Sequence, residues 1–199
     1  VKKKEPLAGG VAEPDGIRVK GSVLLSRLAF VHEQAGEPAV ARVLARLPAR
    51  HRAHAESLLP SSWYPFDLSR QLDAAIMEEL GGGRSDFFLR LGAASAERNL
   101  TGVHKGFLVP GDAHRFLAQA PQIYAFYYDK GRRRYERTGE KEAVLVTEEA
   151  ETFSAPDCMT VVGWHVKALE MCGIRGVRMV EEECRARGGA VCRYRVRWE

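Results

Sequence analysis

The chain has 199 residues, 45% of them apolar and 28% charged, with a formal net charge of +4 at pH 7. This balance is ordinary for a globular protein, and the length allows a core that needs neither disulfides nor a metal merely to be compact. No apolar run approaches the roughly 18 residues of a membrane span, and Val1–Lys2–Lys3–Lys4–Glu5–Pro6 lacks the apolar segment of a secretion signal, so a cytoplasmic protein with no membrane contact is expected.

Residues 1–16, with Lys2 to Lys4, Pro6, Gly9, Gly10, Pro14 and Gly16, read as a flexible N-terminal arm, and residues 17–199 as a single domain. Beyond Ile17 apolar residues recur at helical spacing through Leu24, Leu28 and Val31. Gly36 interrupts, and Pro38 suits the first turn of a second helix that ends before Pro48. A third helical stretch over about 49–59 stops at Pro60, followed by the aromatic connector Ser61–Ser62–Trp63–Tyr64–Pro65–Phe66–Asp67. Helices are expected over about 67–80, through Phe87, Phe88, Leu91 and Ala94, and from Ala113, where Asp112 is placed as a cap. Pro121 ends or kinks that last helix, leaving Ile123 to Lys130 as helix or strand.

The character changes after Gly131. Arg132–Thr138 and Ala143–Thr147 read as strands around a turn at Gly139–Glu140, Pro156–Asp157 opens a helix that ends at Gly173, and Val177–Glu183 and Ala190–Trp198 read as two further strands. Helices first and strands last imply an α+β fold, with N-terminal helices packed on one face of a C-terminal antiparallel sheet. The positive charge is scattered rather than set in a dense stripe, which argues against nucleic acid as a partner. Its densest cluster, Arg132, Arg133, Arg134 and Arg137, reads first as solvated surface and second as an anion-facing one.

Four cysteines in a chain of this size do not suggest a disulfide framework; in a reducing compartment clustered cysteines point to metal or catalysis. Cys158, Glu181, Cys184 and Cys192 are spaced as a zinc site. Val177, Met179 and Glu181 share one strand face, and Cys192, Tyr194, Val196 and Trp198 share another, so Glu181 and Cys192 both point inward. Glu181 and Cys184, three apart, converge only where the strand ends near Glu183 and Cys184 sits in the following turn. Cys158 approaches from a helix start, where the dipole favours a thiolate. His165 and Cys172 lie about 10 and 20 Å along the same helix, too far to share an ion with Cys158. Spacing alone leaves two alternatives, a zinc site or buried thiols beside a hydrogen-bonded glutamate. It also leaves open which of Glu181, Glu182 and Glu183 faces the ion. Three thiolates and a carboxylate leave no open coordination position, so zinc here would be structural.

Elsewhere no nucleophile–base pattern stands out, so no catalytic residues are assigned. Ser61–Ser62 lacks the glycine-flanked turn of a nucleophile elbow. Gly81–Gly82–Gly83–Arg84–Ser85 lacks the lysine and spacing of a phosphate loop and reads as a helix stop. Tyr124 and Tyr128 share a face in helix or strand alike; with Trp164 they are the candidate lining of a small apolar pocket, or part of a plain core.

The string Glu181–Glu182–Glu183–Cys184–Arg185–Ala186–Arg187–Gly188–Gly189–Ala190–Val191–Cys192, preceded by the helix from Cys158 through Gly163–Trp164, resembles the C-terminal signature of 4-vinyl reductase-like domains. In phenol-sensing transcription regulators that carry such a domain, the resemblance implies zinc ligands at Cys158, Glu181, Cys184 and Cys192. The whole chain, with Ser62–Trp63–Tyr64–Pro65 and the closing Arg197–Trp198, resembles a group of bacterial single-domain paralogues in a superfamily that also holds haem nitric-oxide-binding domains and Golgi-transport subunits. No phosphate-binding loop is present, and no histidine is marked as a haem ligand. The expectation is a sensing domain for a small hydrophobic or aromatic ligand that signals through a protein partner or a homodimer. The alternative is a protein–protein interaction scaffold without ligand; a tetrapyrrole-related enzyme ranks third.

Overall fold

The computed structural model describes residues 16–82, 84, 86–102, 104–150 and 154–199, so all but the last residue of the expected N-terminal arm lies outside the described residues. The chain opens with a short strand, β1 (Arg18–Lys20), and a long helix, α1 (Gly21–Arg46), broken at Gly36, whose φ of 75° lies in the left-handed region. Then come α2 (Ala49–Ala55), β2 (Trp63–Pro65), α3 (Phe66–Glu79) and α4 (Phe87–Thr101). Two short helices follow, α5 (Ala113–Leu117), capped by the Asp112 carboxylate, and α6 (Ala120–Tyr127). The C-terminal part is β3 (Arg132–Arg137), β4 (Glu142–Glu148), α7 (Ala155–Met171), β5 (Arg178–Glu183) and β6 (Cys192–Arg197).

The fold is α+β, as the patterning implied: N-terminal helices and a C-terminal sheet of order β3-β4-β6-β5, antiparallel throughout. Two details differ from the expectation. Residues 18–20 are extended, and β1 pairs antiparallel with β2, so the middle of the aromatic connector is a strand while its Phe66 and Asp67 open α3. Val19 and Tyr64, opposite each other, are both buried, and it is this tertiary burial rather than any local periodicity that holds such short strands. Pro121 also starts a helix instead of ending one: it sits in the first turn of α6, where its missing N–H would have no partner in any case. Ile123 to Tyr127 is therefore helical.

The sheet has two distinct faces. On the outer face Glu148 pairs with Arg132 and Arg134, and Glu142 with Arg195 and Arg197, so long arginine stems cover Val144 and Val146. The basic cluster on β3 is thus split by the pleat, because Arg133 points to the inner face with Leu145, Thr147, Cys192, Tyr194 and Val196. α4 and α7 pack closely together near that inner face, at Gly92 and Gly163. A Cβ on Gly163 would lie 2.0 Å from the Leu89 carbonyl oxygen, and one on Gly92 2.2 Å from that of Thr160.

Candidate functional site: a cysteine–glutamate cluster and an adjoining cavity

The first site lies where the start of α7 meets the β5–β6 hairpin. β5 ends at Glu183, and the β5–β6 register shifts between Glu181 and Glu183. That extra residue lets Glu181 and Cys184, three apart, both turn inward. The connector closes through the left-handed Gly188 (φ 87°) and a bond from the Gly189 N–H to the Cys184 carbonyl. Ser154 caps α7 by accepting from the Asp157 N–H, which sets Cys158 in the first turns of the helix.

One ligand atom from each of Cys158, Glu181, Cys184 and Cys192 lies within 4.8 Å of the others. The Cys158 sulfur is 3.9 Å from that of Cys192 and 3.6 Å from that of Cys184. Sulfurs sharing a tetrahedral ion at a bond length of about 2.3 Å stand about 3.8 Å apart. One carboxylate oxygen of Glu181, Oε2, accepts from Arg187 at 2.8 Å, while Oε1 is buried with no protein partner. The Cys192 sulfur accepts from the Arg185 N–H. The bond shared with Cys192, together with burial, holds the Cys158 thiol well above its usual range. The same bond draws Cys192 down to about 6, while burial raises Cys184. Glu182 instead pairs with Arg195, and Glu183 accepts from the Ala190 and Val191 N–H groups, so of the three glutamates Glu181 joins the thiols.

His165 and Cys172 stay apart from this cluster, as helix geometry required. Cys172 accepts from the Val109 N–H at the end of α7. His165, in contrast, lines a cavity.

That cavity, of about 60 Å³, lies between α1, α4, α6, α7 and β3. Tyr124, Tyr128 and Trp164 all stand on its wall. Tyr124 and Tyr128 stack with ring centroids 4.9 Å apart, and the Tyr124 hydroxyl donates to the Lys130 carbonyl. The polar side of the wall escaped the sequence reading. Arg27, 1% exposed, makes a two-point contact with Asp73 (2.6 and 3.2 Å) and reaches Asp157 at 3.1 Å. Asp157 also accepts from the Tyr128 hydroxyl, and burial, opposed by Arg27, lifts its carboxyl to about 6. Arg27, on the cavity wall, is thus bonded to Asp157, the residue directly before Cys158, which links the cavity to the cysteine cluster along α7. The sequence did carry a signal for Arg27, which stands three residues after Leu24 and four before Val31 within an apolar stripe.

A comparison with curated protein sequences finds no match. Among solved structures, the chain is similar to the Fe(II) unliganded H-NOX protein from K. algicida, with a TM-score of 0.72 and 12% identity over 90% of this chain and 96% of that one. It is also similar to a mutant of the T. tengcongensis H-NOX, with a TM-score of 0.68 and 11% identity over 90% and 97% of the two chains. At such identity the likeness is one of fold. No helix among the described residues is long and apolar enough to cross a membrane. Matched over residues 26–199, the chain belongs to the DUF2378 family, described as a protein of unknown function.

Proposed function

We propose that this protein is a sensing domain that takes a small molecule into the cavity between α1, α4, α6 and α7, and that a zinc ion held by Cys158, Glu181, Cys184 and Cys192 clasps the adjoining end of the fold. The observation that carries the reading is a pair of unused polar atoms on one cavity wall. Tyr127 Oη and His165 Nε2 are both buried and without a protein partner. An unsatisfied buried polar atom costs about 1–3 kcal/mol, a cost that a bound molecule or ordered water would offset.

The zinc assignment rests on the sulfur spacings, the orphaned Glu181 Oε1 and the resemblance to 4-vinyl reductase-like domains. The Arg185 N–H and the Arg187 guanidinium stand ready to offset the excess negative charge of three thiolates and a carboxylate. Zinc would supply structure there rather than chemistry, because its four positions would be filled. A molecule in the cavity would reach this clasp through Arg27 and Tyr128, both bonded to Asp157, the neighbour of Cys158. Output would then pass to a partner protein or a second copy.

Haem, the subject of studies on H-NOX structures of this fold, does not fit this cavity. About 60 Å³ is far below the roughly 300–1,000 Å³ of pockets for drug-sized ligands, and too small for a porphyrin. Of the other histidines nearby, His114 uses both ring nitrogens on Tyr135 and the Glu140 carbonyl, and His104 lies against Phe107, Phe126 and Tyr127.

Native mass spectrometry on protein purified without a histidine tag tests both parts. One zinc together with an added organic mass supports the reading. Zinc alone favours the interaction scaffold, and no metal with four free thiols removes the clasp.

A further inference from the structure

The sensing reading leaves the ligand's chemistry open, and the cavity wall narrows it. Arg133 is 6% exposed and lines the cavity from the inner face of β3. Its Nε donates to Thr147 Oγ1 at 3.0 Å, and its guanidinium lies over the Tyr124 ring, 5.2 Å from the centroid. Among the described residues no carboxylate comes within ion-pair distance of it, unlike Arg27, which holds two. The other arginines of β3, on the sheet surface, have each found an oxygen: Arg132 and Arg134 share Glu148, and Arg137 donates to the Gly139 carbonyl. The only side-chain hydrogen bond of Arg133 among the described residues is the one from Nε, and Asp157 attracts it only from beyond ion-pair distance, so the planar fork of its terminal nitrogens is free to match a carboxylate.

The opposite requirement comes from His165. Its Nδ1 is 2.8 Å from the Val161 carbonyl oxygen, which can only accept, so Nδ1 carries the proton. Burial keeps the ring neutral, with Arg133 adding to the effect. Nε2 is therefore a lone-pair acceptor facing the cavity with nothing donating to it. Tyr127 Oη, 7% exposed as a residue, is the third unused group and can donate or accept. The wall thus asks for an acceptor or anion at Arg133 and for a donor at His165. Its apolar part, Val23, Ile123, Val161 and Trp164, suits a short carbon frame. The volume is about four times the least that one water needs, which sets a ceiling near one small ring.

Resting on the sensing reading, we infer that the cavity binds a small hydroxylated carboxylate: Arg133 takes the carboxylate, His165 Nε2 accepts from the hydroxyl, and Tyr127 Oη completes either contact. Neutral phenols and alcohols satisfy only the histidine side, and plain carboxylates only the arginine side.

Calorimetry with two matched sets of probes tests this: 4-hydroxybenzoate, benzoate and phenol for the ring, and lactate, propionate and propanol for the short frame. In at least one set the hydroxy acid binds about tenfold or more tighter than either analogue, because a site built for a polar group rejects the molecule that lacks it. Arg133→Gln lowers that affinity by at least about tenfold, in line with the loss of a charged hydrogen bond. Should Arg133→Gln fail to fold, Tyr127→Phe serves instead. It removes only an unpartnered hydroxyl, so it folds, and it weakens the hydroxy acid by about threefold to tenfold. Equal or tighter binding of phenol or propanol, unchanged by Arg133→Gln, overturns the carboxylate inference and leaves the sensing reading standing. Binding of neither set, with no organic mass on the purified protein, overturns both.

Discussion

Gly92 on α4 and Gly163 on α7 each press against the backbone of the other helix: a Cβ on the first would meet the Thr160 carbonyl oxygen at 2.2 Å, and one on the second the Leu89 carbonyl oxygen at 2.0 Å. Neither obstacle is a flexible side-chain end, so an added methyl must push the helices apart. Gly163→Ala and Gly92→Ala are each expected to destabilise the protein by about 1–3 kcal/mol or more, despite alanine's better helix propensity. Urea unfolding measures this. Because Ser95, Asn99, Thr160, Val161 and Trp164 flank the two glycines and line the cavity, ligand affinity should fall as well. A variant as stable as the parent would contradict the close packing.

Gly163 is visible in the sequence, but its purpose is not. The strand-rich end was legible because alternation in β5 and β6 sets Met179, Glu181, Cys192, Tyr194 and Val196 inward, a pattern that needs no tertiary information. The grouping of Cys158 with the hairpin followed from the same alternation and the helix start. β1 and β2 were not legible, since three-residue strands carry no period and exist here by burial against α1 and α3. The polar wall was hidden for another reason. Arg27 meets Asp73 and Asp157 across 46 and 130 residues, and a charge at an apolar position does not name its distant partner. Arg133 could have been separated from Arg132 and Arg134 by the pleat alone, since it shares its face with Tyr135.

Arg27 with Asp73 and Asp157 ties α1 and α3 to α7 through groups at most 5% exposed at their side chains. Removing the cation strands two buried carboxylates. Arg27→Met is expected to cost about 3–5 kcal/mol, and the double variant Arg27→Met/Asp73→Leu less than the sum of its single changes, because the second change removes a charge the first left unpaired. A double-mutant cycle by denaturant unfolding gives the coupling. Simple additivity would mean that the cluster is wetter than its burial indicates.

His165 makes stability depend on pH in a defined direction. Its folded-state pKa, about 3, lies below the 6.5 of the unfolded chain, with burial the main cause and Arg133 adding to it. The unfolded chain therefore takes up a proton over this window and the folded protein does not. Stability is fully present above about pH 6.5 and falls as pH drops toward 3, by up to about 1.4 kcal/mol per unit. Asp157, whose carboxyl is raised to about 6, titrates in the same window with the opposite sign, so the His165 contribution is read as the difference between the parent and a His165 variant. His165→Gln should lower that slope relative to the parent, and comparing the two proteins cancels any acid release of metal. Parallel pH profiles would show that the imidazole is not held neutral.

The three consecutive glutamates of β5 give the sharpest test of the metal assignment, because the fold gives each a different task. Glu181 offers a buried oxygen among the thiols, Glu182 pairs with Arg195 at the surface, and Glu183 accepts from the Ala190 and Val191 N–H groups to shape the hairpin. Glu181→Gln should weaken zinc binding by more than about tenfold, as Cys184→Ser and Cys192→Ser should, with loss of folding cooperativity where the ion is released. Glu182→Gln should change stability by less than about 1 kcal/mol and leave the zinc content alone. Glu183→Gln should cost about 1 kcal/mol through its hairpin bonds, again with zinc retained. Metal content by mass spectrometry beside thermal unfolding separates these outcomes. Zinc kept by Glu181→Gln but lost from Glu182→Gln would mean that the strand pairs one step out of register and that its inward face is the other one, since a shift of a single residue exchanges the two faces.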